Sequence, residues 1–416
     1  MCFDGAMSKH RFYIFILVVF ALLFPLRLYV HQKFHRPLFD EYVGITFTGI
    51  GVVTQETEEK SFYREVVVEL ANTKRKQVVL VQAPFYPDFE YGDKVAIKGK
   101  LKHPKDFKTD AGNVFPYQKY LAKDDVYYIL SSPTVTLLEK HQGNSVKAFL
   151  LKIKHSFVSH IQKILPRPES SLLSGILIAG KGGLGAALEE DFKKVGLIHI
   201  VVLSGYNVTI VAEAFIKTLS FLPRAVGYGT GAVGIIFFSI MAGGSSTIIR
   251  ASIMSLVALL GKATGNIYSA LRGLFVAGFI MVMWNPMILL YDPSFQLSFL
   301  ATFALIVFSP VVQQLLGKFG QTTLGEIVSS TLAVETFLLP YLLHMNGSFA
   351  FVSFPANLLV LSFLPFTMLV GFVSTVISYL HLGLSYPFSF MAFIVLRYIL
   401  RIVEVASAFA SLGIHI

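Results

Sequence analysis

From residue 171 onward the sequence is a succession of apolar runs, most of them close to the length of a membrane-crossing helix. In hydrocarbon every backbone N–H and C=O must be satisfied within the protein, so such a chain is confined to helices packed as a bundle. The candidate spans fall within residues 196–222, 225–241, 247–260, 274–290, 295–316 and 327–343, with two or three more between 349 and 412. The run 171–180 is too short to cross and reads as re-entrant. Charged residues make up 14% of the chain, well below the ~25% of soluble domains. With an N-terminal run, the ~20-residue requirement predicts about eight to eleven spans.

That N-terminal run, residues 12–30, is apolar apart from Arg27. At about 1.5 Å per residue it is long enough for a ~30 Å hydrocarbon core. It is longer than the apolar part of a signal peptide and no small-residue cleavage site follows, which predicts an uncleaved anchor. Lys9 and Arg11 precede it and Lys33 and Arg36 follow it, so loop charge does not settle its orientation. The single cysteine, Cys2, excludes an intramolecular disulfide and a cysteine-based zinc or iron–sulfur site.

Residues 40–140 differ in character. Short strand-like segments at 44–54, 65–70, 77–82, 95–101, 126–130 and 134–138 are separated by polar turns, including Tyr91-Gly92-Asp93. This pattern predicts a small antiparallel barrel, and the long connection between late strands fits an OB-fold. OB-folds bind single strands with aromatic platforms and basic grooves, which makes Phe62, Tyr63, Arg64, Lys74, Arg75 and Lys76 candidate DNA contacts. The segment holds 14 Lys and Arg against 15 Asp and Glu, a balance that argues against strong DNA binding; a gasket or docking module is the other reading. The chain's net charge of +10 therefore resides in the apolar part and its flanks. Anionic headgroups account for such an excess, as does a path for a polyanion.

Between these parts, Val146, Phe149, Leu150, Ile153, Phe157, Ile161 and Ile164 recur at helical spacing. Lys147, Lys152, Lys154, His155, Lys163 and Arg167 occupy other faces, predicting a basic amphipathic helix at the headgroup level. The expected organisation is an anchor at 1–39, an OB-like barrel at 40–140, a connector helix at 141–170 and a polytopic domain at 171–416. The fold class is thus an α-helical polytopic membrane protein with a small all-β barrel inserted after the first helix.

One stretch, FKKVGLIHIVVLSGYNVTI at 192–210, holds His199, Ser204, Gly205 and Asn207 within nine residues of an apolar segment. Polar side chains at membrane depth face protein or water. A Ser-Gly break in a span exposes backbone groups, and a helix restarting near Tyr206 would present free N–H groups and a positive dipole end suited to a phosphate. A kinked packing helix with polar interhelical bonds explains the same residues.

This stretch resembles the hallmark of the ComEC family, a Gly-Leu-x-His run, an apolar triplet and Ser-Gly; Gly196, Leu197, His199, Ser204 and Gly205 match it. Where that family has an apolar residue and His, this chain has Tyr206 and Asn207. Similar segments follow in family order: GSSTIIRASIM around Arg250, DPSFQLSFLA with Gln296 and Ser298, 333–340 with Glu335 in place of an uncharged polar residue, and Asn357-Leu358-Leu359 with Pro365. YGDKVAIKGKLKHP and FPYQKYLAKDDVYYIL resemble its OB region, so the likeness extends over about 40–416.

The resemblance implies an inner-membrane, multi-pass channel that imports single-stranded DNA in natural transformation, with the barrel outside the cytoplasm. The expected translocation path comprises His199, Ser204, Gly205, Tyr206, Asn207, Arg250, Gln296, Ser298, Glu335 and Asn357. Arg250 supplies fixed charge with phosphate-matching geometry, or else pairs structurally with Glu213 or Glu335. Many relatives carry a C-terminal metallo-β-lactamase-like domain; no clustered His/Asp motif of that type occurs here, so neither a nuclease nor a resident metal is expected. The absence of a Gly-x-x-x-x-Gly-Lys-Ser/Thr loop predicts no ATP use, and the channel that the resemblance implies needs no cofactor and no enzyme activity in these residues. Implied partners are a surface DNA receptor, a cytosolic DNA-translocating ATPase or single-strand-binding protein, and a separate nuclease. A permease for a small anionic or polar solute would use the same broken helix and arginine, and a membrane-anchored scaffold would leave no polar path.

Overall fold

A computed structural model describes residues 9–60, 62–71, 73, 77–109, 112–179, 184–201, 205–218, 223–347 and 351–410. Helix α1 (Lys9–Phe34) leads into β1 (Thr46–Val53), β2 (Glu58–Glu59), β3 (Arg64–Leu70), β4 (Val78–Ala83) and β5 (Lys94–Lys102). The connection after β5 contains a two-stranded hairpin, β6 (Phe107–Lys108) and β7 (Val114–Phe115), then α2 (Tyr117–Ala122), β8 (Val126–Ser131) and β9 (Thr134–Glu139). β1 pairs antiparallel with both β3 and β5, β3 with β4, and β5 with β8, while β4 and β8 run parallel. The circuit β1–β3–β4–β8–β5–β1 therefore closes as a five-stranded barrel, and β9 adds to β5. Closure leaves few unpaired strand edges.

Alternation drives this closure. In β3, Val66, Val68 and Leu70 point inward and are buried, as are Val79, Val81, Val95, Ile97, Leu101 and Leu130 from the other strands. Burying each such side chain contributes about 1.5–3 kcal/mol. Gly51 sits where β1 passes from β5 to β3; a Cβ there would lie 2.5 Å from the Glu69 carbonyl oxygen.

The helical part begins with α3 (Ser145–Ile164), whose first turn is capped by the Asn144 side chain accepting from the Val146 and Lys147 N–H groups. Then come α4 (Glu169–Ile178), α5 (Ala186–Lys194), α6 (Ile198–Val201), α7 (Gly205–Thr218), α8 (Arg224–Met241), α9 (Ser246–Thr264) and α10 (Ala270–Trp284). They are followed by α11 (Met287–Tyr291), α12 (Pro293–Val307), α13 (Ser309–Leu315), α14 (Gly317–Gly320), α15 (Thr323–Asn346), α16 (Ser353–Leu361), α17 (Leu364–Leu380) and α18 (Leu382–Ala410). All ten residues of α4 are buried, beneath α3, α17 and α18. Its apolar side chains join those of α16–α18 in the main core, where Gly371 passes so close to Leu173 that a Cβ would clash at 2.4 Å.

Among the described residues, three helical stretches are long and apolar enough to cross a membrane: Ile16–Phe34, Ser246–Thr264 and Thr323–Met345. Two further pairs qualify as bent units, α12 with α13 at 41° and α16 with α17 at 44°. Continuous apolar sequence is thus cut into more pieces than its length suggests. Pro310 and Pro365 each sit in the first turn of the second helix of a pair, where a missing N–H and fixed φ start a helix but cannot continue one. Pro286 likewise separates α10 from α11 within the run 274–290.

The connector departs from a fully solvated basic face. Val146, Phe149 and Ile153 are exposed, whereas Lys154, expected on a polar face, is buried. Its Nζ donates to Glu56 Oε2 at 2.5 Å, and His155 Nε2 lies 2.9 Å from Glu56 Oε1. Burial pushes the Glu56 carboxyl up, but its bonds with His155 and the charge of Lys154 outweigh this and hold it below its ordinary value. The same bond raises the His155 imidazole. These contacts fasten the barrel to α3.

Candidate functional site

The turn between α5 and α6 places the Gly-Leu-x-His segment. Gly196 has φ +77, a conformation that favours glycine, and Leu197 behind it is fully buried. His199 Nδ1 lies 3.1 Å from the Gly196 carbonyl oxygen, so its ring is held within its own turn. Ser204 and the side chain of Tyr206 lie outside the described residues. Helix α7 is described from Gly205 onward, and the predicted break at Ser-Gly falls on residues 202–204, which lie outside the described residues.

Arg250 on α9 is 7% exposed and lies against Gly205 of α7: a Cβ there would be 2.2 Å from its Nη2. Its Nε donates to Ser298 Oγ at 2.8 Å and its Nη1 donates to Thr302 Oγ1, both on α12. Among the described residues no carboxylate lies within ion-pair range of it. The expected structural partners are elsewhere: Glu213 is exposed, and Glu335 Oε1 accepts from Asn357 Nδ2 at 2.7 Å and Ser353 Oγ at 3.2 Å. Two hydroxyls, and the Met254 sulfur 3.7 Å from Nη1, accept from the guanidinium without neutralising its charge. A buried cation without a counter-charge is costly, and an anion placed beside it recovers that cost.

The second polar group is Glu335 of α15 with Ser353 and Asn357 of α16. Asn357 Oδ1 is buried and has no hydrogen-bond partner among the described residues. Gly196 packs onto Ser353, where a Cβ would lie 3.0 Å from Oγ, so the hallmark turn touches this group as well.

Two further candidates bond neighbouring segments of the bundle. Asn207 is fully buried and its Nδ2 donates to the Ile176 carbonyl at 3.1 Å, tying α7 to α4. Gln296, in the first turn of α12, donates to the Leu289 carbonyl at 2.8 Å and accepts from Tyr341 Oη. Gln296 and Ser298 thus serve opposite sides of α12, as their two-residue separation requires. Sequence reasoning missed Thr302, Ser353, Tyr341 and the buried Asp292, which caps α12 through the Ser294 N–H and accepts from Ser246 Oγ. The signals were present. Thr302 is four residues beyond Ser298, and Asp-Pro-Ser is a helix-start pattern.

On the barrel, Phe62 is 89% exposed and Tyr63 half-buried. Arg64 is buried and engaged: Nη2 donates to Glu59 Oε1 at 2.6 Å and Nη1 donates to Asp88 Oδ1. It is therefore a structural cation rather than a free phosphate contact. Lys74, Arg75 and Lys76 lie outside the described residues. Among the described residues no group of three or more His, Cys, Asp or Glu side chains is placed to hold a metal ion.

Fold and site together define an apolar helical bundle with a buried arginine that has no carboxylate partner among the described residues, and an OB-like barrel fastened to α3. The chain belongs to the Competence protein family, whose pattern it matches over residues 176–416. It is 23% identical over 303 residues to ComE operon protein 3 of Bacillus subtilis (strain 168), covering 69% of this chain and 36% of that protein. It is 32% identical over 128 residues to an uncharacterised protein of Aquifex aeolicus (strain VF5), covering 30% of each. The chain thus spans about a third of the length of the curated relatives it matches. No solved structure matches it.

Proposed function

We propose that the chain is a DNA-uptake component of natural transformation that passes single-stranded DNA across the bacterial cytoplasmic membrane. The observation that carries the reading is Arg250: a buried guanidinium that, among the described residues, bonds two hydroxyls and the Met254 sulfur but no carboxylate, packed against Gly205 of α7. Arginine geometry favours phosphate, and a helix restart at Ser-Gly, which the sequence predicts, would add backbone donors beside it. In this reading the bundle crosses the membrane several times and the barrel lies outside the cytoplasm. Gly205, Arg250, Ser298 and Thr302 meet successive phosphates, while Glu335 and Asn357 hold the adjoining helices and Asn207 and Gln296 brace the bundle. A surface receptor delivers the DNA, a separate nuclease removes one strand, and a cytosolic ATPase or single-strand-binding protein draws the other inward.

Labelled DNA supplied to host cells with and without the gene tests this. Loss of nuclease-protected cytosolic label on deletion, with surface-bound DNA retained, is the expected result. Unchanged protected uptake would refute the reading and direct attention to small-anion flux in liposomes.

A further inference from the structure

The barrel's charge balance conceals a segregation. Residues 94–123 carry eight Lys and two Asp, whereas the other residues between 40 and 140 carry six Lys or Arg and 13 Asp or Glu. Several carboxylates of the acidic part are engaged: Glu59 and Asp88 by Arg64, Glu56 by Lys154 and His155, and Glu139 by Lys94. Lys98, Lys100 and Lys102 of β5 are exposed, and among the described residues none has a carboxylate in ion-pair range.

These three lysines form a row. Ile97 and Leu101 point into the barrel, so the alternate positions 98, 100 and 102 point out. Successive ammonium groups project about 6.6 Å apart along the strand, a spacing commensurate with an extended phosphodiester chain. Exposed threonines flank the row: Thr46 opposite Lys100 and Thr48 opposite Lys98 on β1, and Thr134 opposite Lys98 on β9. Beyond Lys102 the basic run continues through exposed Lys105 and Lys108 onto the β6–β7 hairpin. There Phe107, half exposed, stands 5.2 Å from the Phe115 ring. The hairpin reaches the helical bundle, where Asn113 Nδ2 donates to the His344 carbonyl at 2.6 Å.

We infer that the outer face of β1, β5 and β9, led by Lys98, Lys100 and Lys102 and continued by Phe107, is a docking track for single-stranded DNA. The inference rests on the uptake reading above and moves the barrel's contact away from the 62–76 face. A lipid surface demands no linear register of cations. A row at strand spacing that leads through an exposed aromatic ring to the bundle suits a one-dimensional polyanion, with bases stacking on the aromatic face.

The test uses the full chain in uncharged phosphatidylcholine nanodiscs and a fluorescent oligothymidylate. In Lys98→Gln/Lys100→Gln/Lys102→Gln, loss of three phosphate contacts weakens binding about tenfold at low salt and makes the log–log salt slope shallower by about 2. The triple Arg variant retains the native slope, which separates lost charge from lost fold. Unchanged affinity and slope in the Gln variant overturns the inference while leaving the uptake reading intact. So does a variant that keeps DNA binding but loses contact with phosphatidylglycerol-containing discs, which identifies a headgroup surface. If the native chain binds no oligonucleotide and deletion spares protected uptake, the underlying reading falls and the track with it.

Discussion

Gly205 and Arg250 share one small space: a Cβ at residue 205 would sit 2.2 Å from the guanidinium Nη2. Gly205→Ala must therefore displace the arginine from Ser298 and Thr302, and it is expected to reduce protected DNA uptake at least as much as Arg250→Lys. Arg250→Met separates stability from function. It removes a buried cation that has no counter-charge, so the thermal midpoint in detergent stays level or rises, while uptake is lost. A fall in the midpoint together with normal uptake contradicts the assigned role.

Much of the fold was legible because alternation and apolar length survive in the sequence. The segments 65–70 and 95–101 correspond to β3 and β5 within a residue or so, and the long connection between late strands holds the β6–β7 hairpin and α2. Partnership was not legible. Arg250 and Ser298 are 48 residues apart, and nothing local says that α9 lays one on the other. Helical period placed Lys154 on a polar face, but its carboxylate is 98 residues earlier, in the barrel. Where apolar runs divide was not legible for a related reason: whether Pro286, Pro310 and Pro365 kink or cut a helix depends on packing around them.

The Glu335 group yields a contrast between two substitutions. Gln keeps an acceptor for Asn357 Nδ2 and Ser353 Oγ, so Glu335→Gln is expected to leave both stability and uptake near the native level. Leu removes the acceptor and strands two buried donors, costing about 2–3 kcal/mol. Thermal melts of the two variants check this, and equal losses in both would show that the charge itself matters.

The barrel–connector contact has a pH signature. Burial opposes ionisation of Glu56, but its bonds with His155 and Lys154 prevail and its folded value lies below 4.5. Its contribution is present above pH 4.5 and is lost as pH falls through that lowered value. His155 is raised above 6.5, chiefly by the bond to Glu56, so its contribution is complete below pH 6.5 and is lost as pH rises through the raised value. Protease protection of the Asn144–Ser145 junction should therefore be greatest between about pH 4.5 and 6.5. Glu56→Gln flattens the profile and leaves Lys154 buried without its carboxylate, at a cost of about 3 kcal/mol. Glu56→Gln/Lys154→Met recovers most of that loss.

Asn207 tests whether the residue after Ser-Gly-Tyr serves the path or the packing. Its amide is fully buried and donates to the Ile176 carbonyl, one of the last acceptors of the buried helix α4. Asn207→Asp is nearly isosteric but sets a carboxylate against a carbonyl, so about 2–3 kcal/mol of stability is lost. Asn207→His, the residue expected from the resemblance, must fit a larger ring into a fully buried site, at about 1–3 kcal/mol. In both variants uptake per folded molecule stays near native, because the side chain acts by fixing α7 on α4. A variant that melts like the native protein yet imports no DNA would place Asn207 on the path instead.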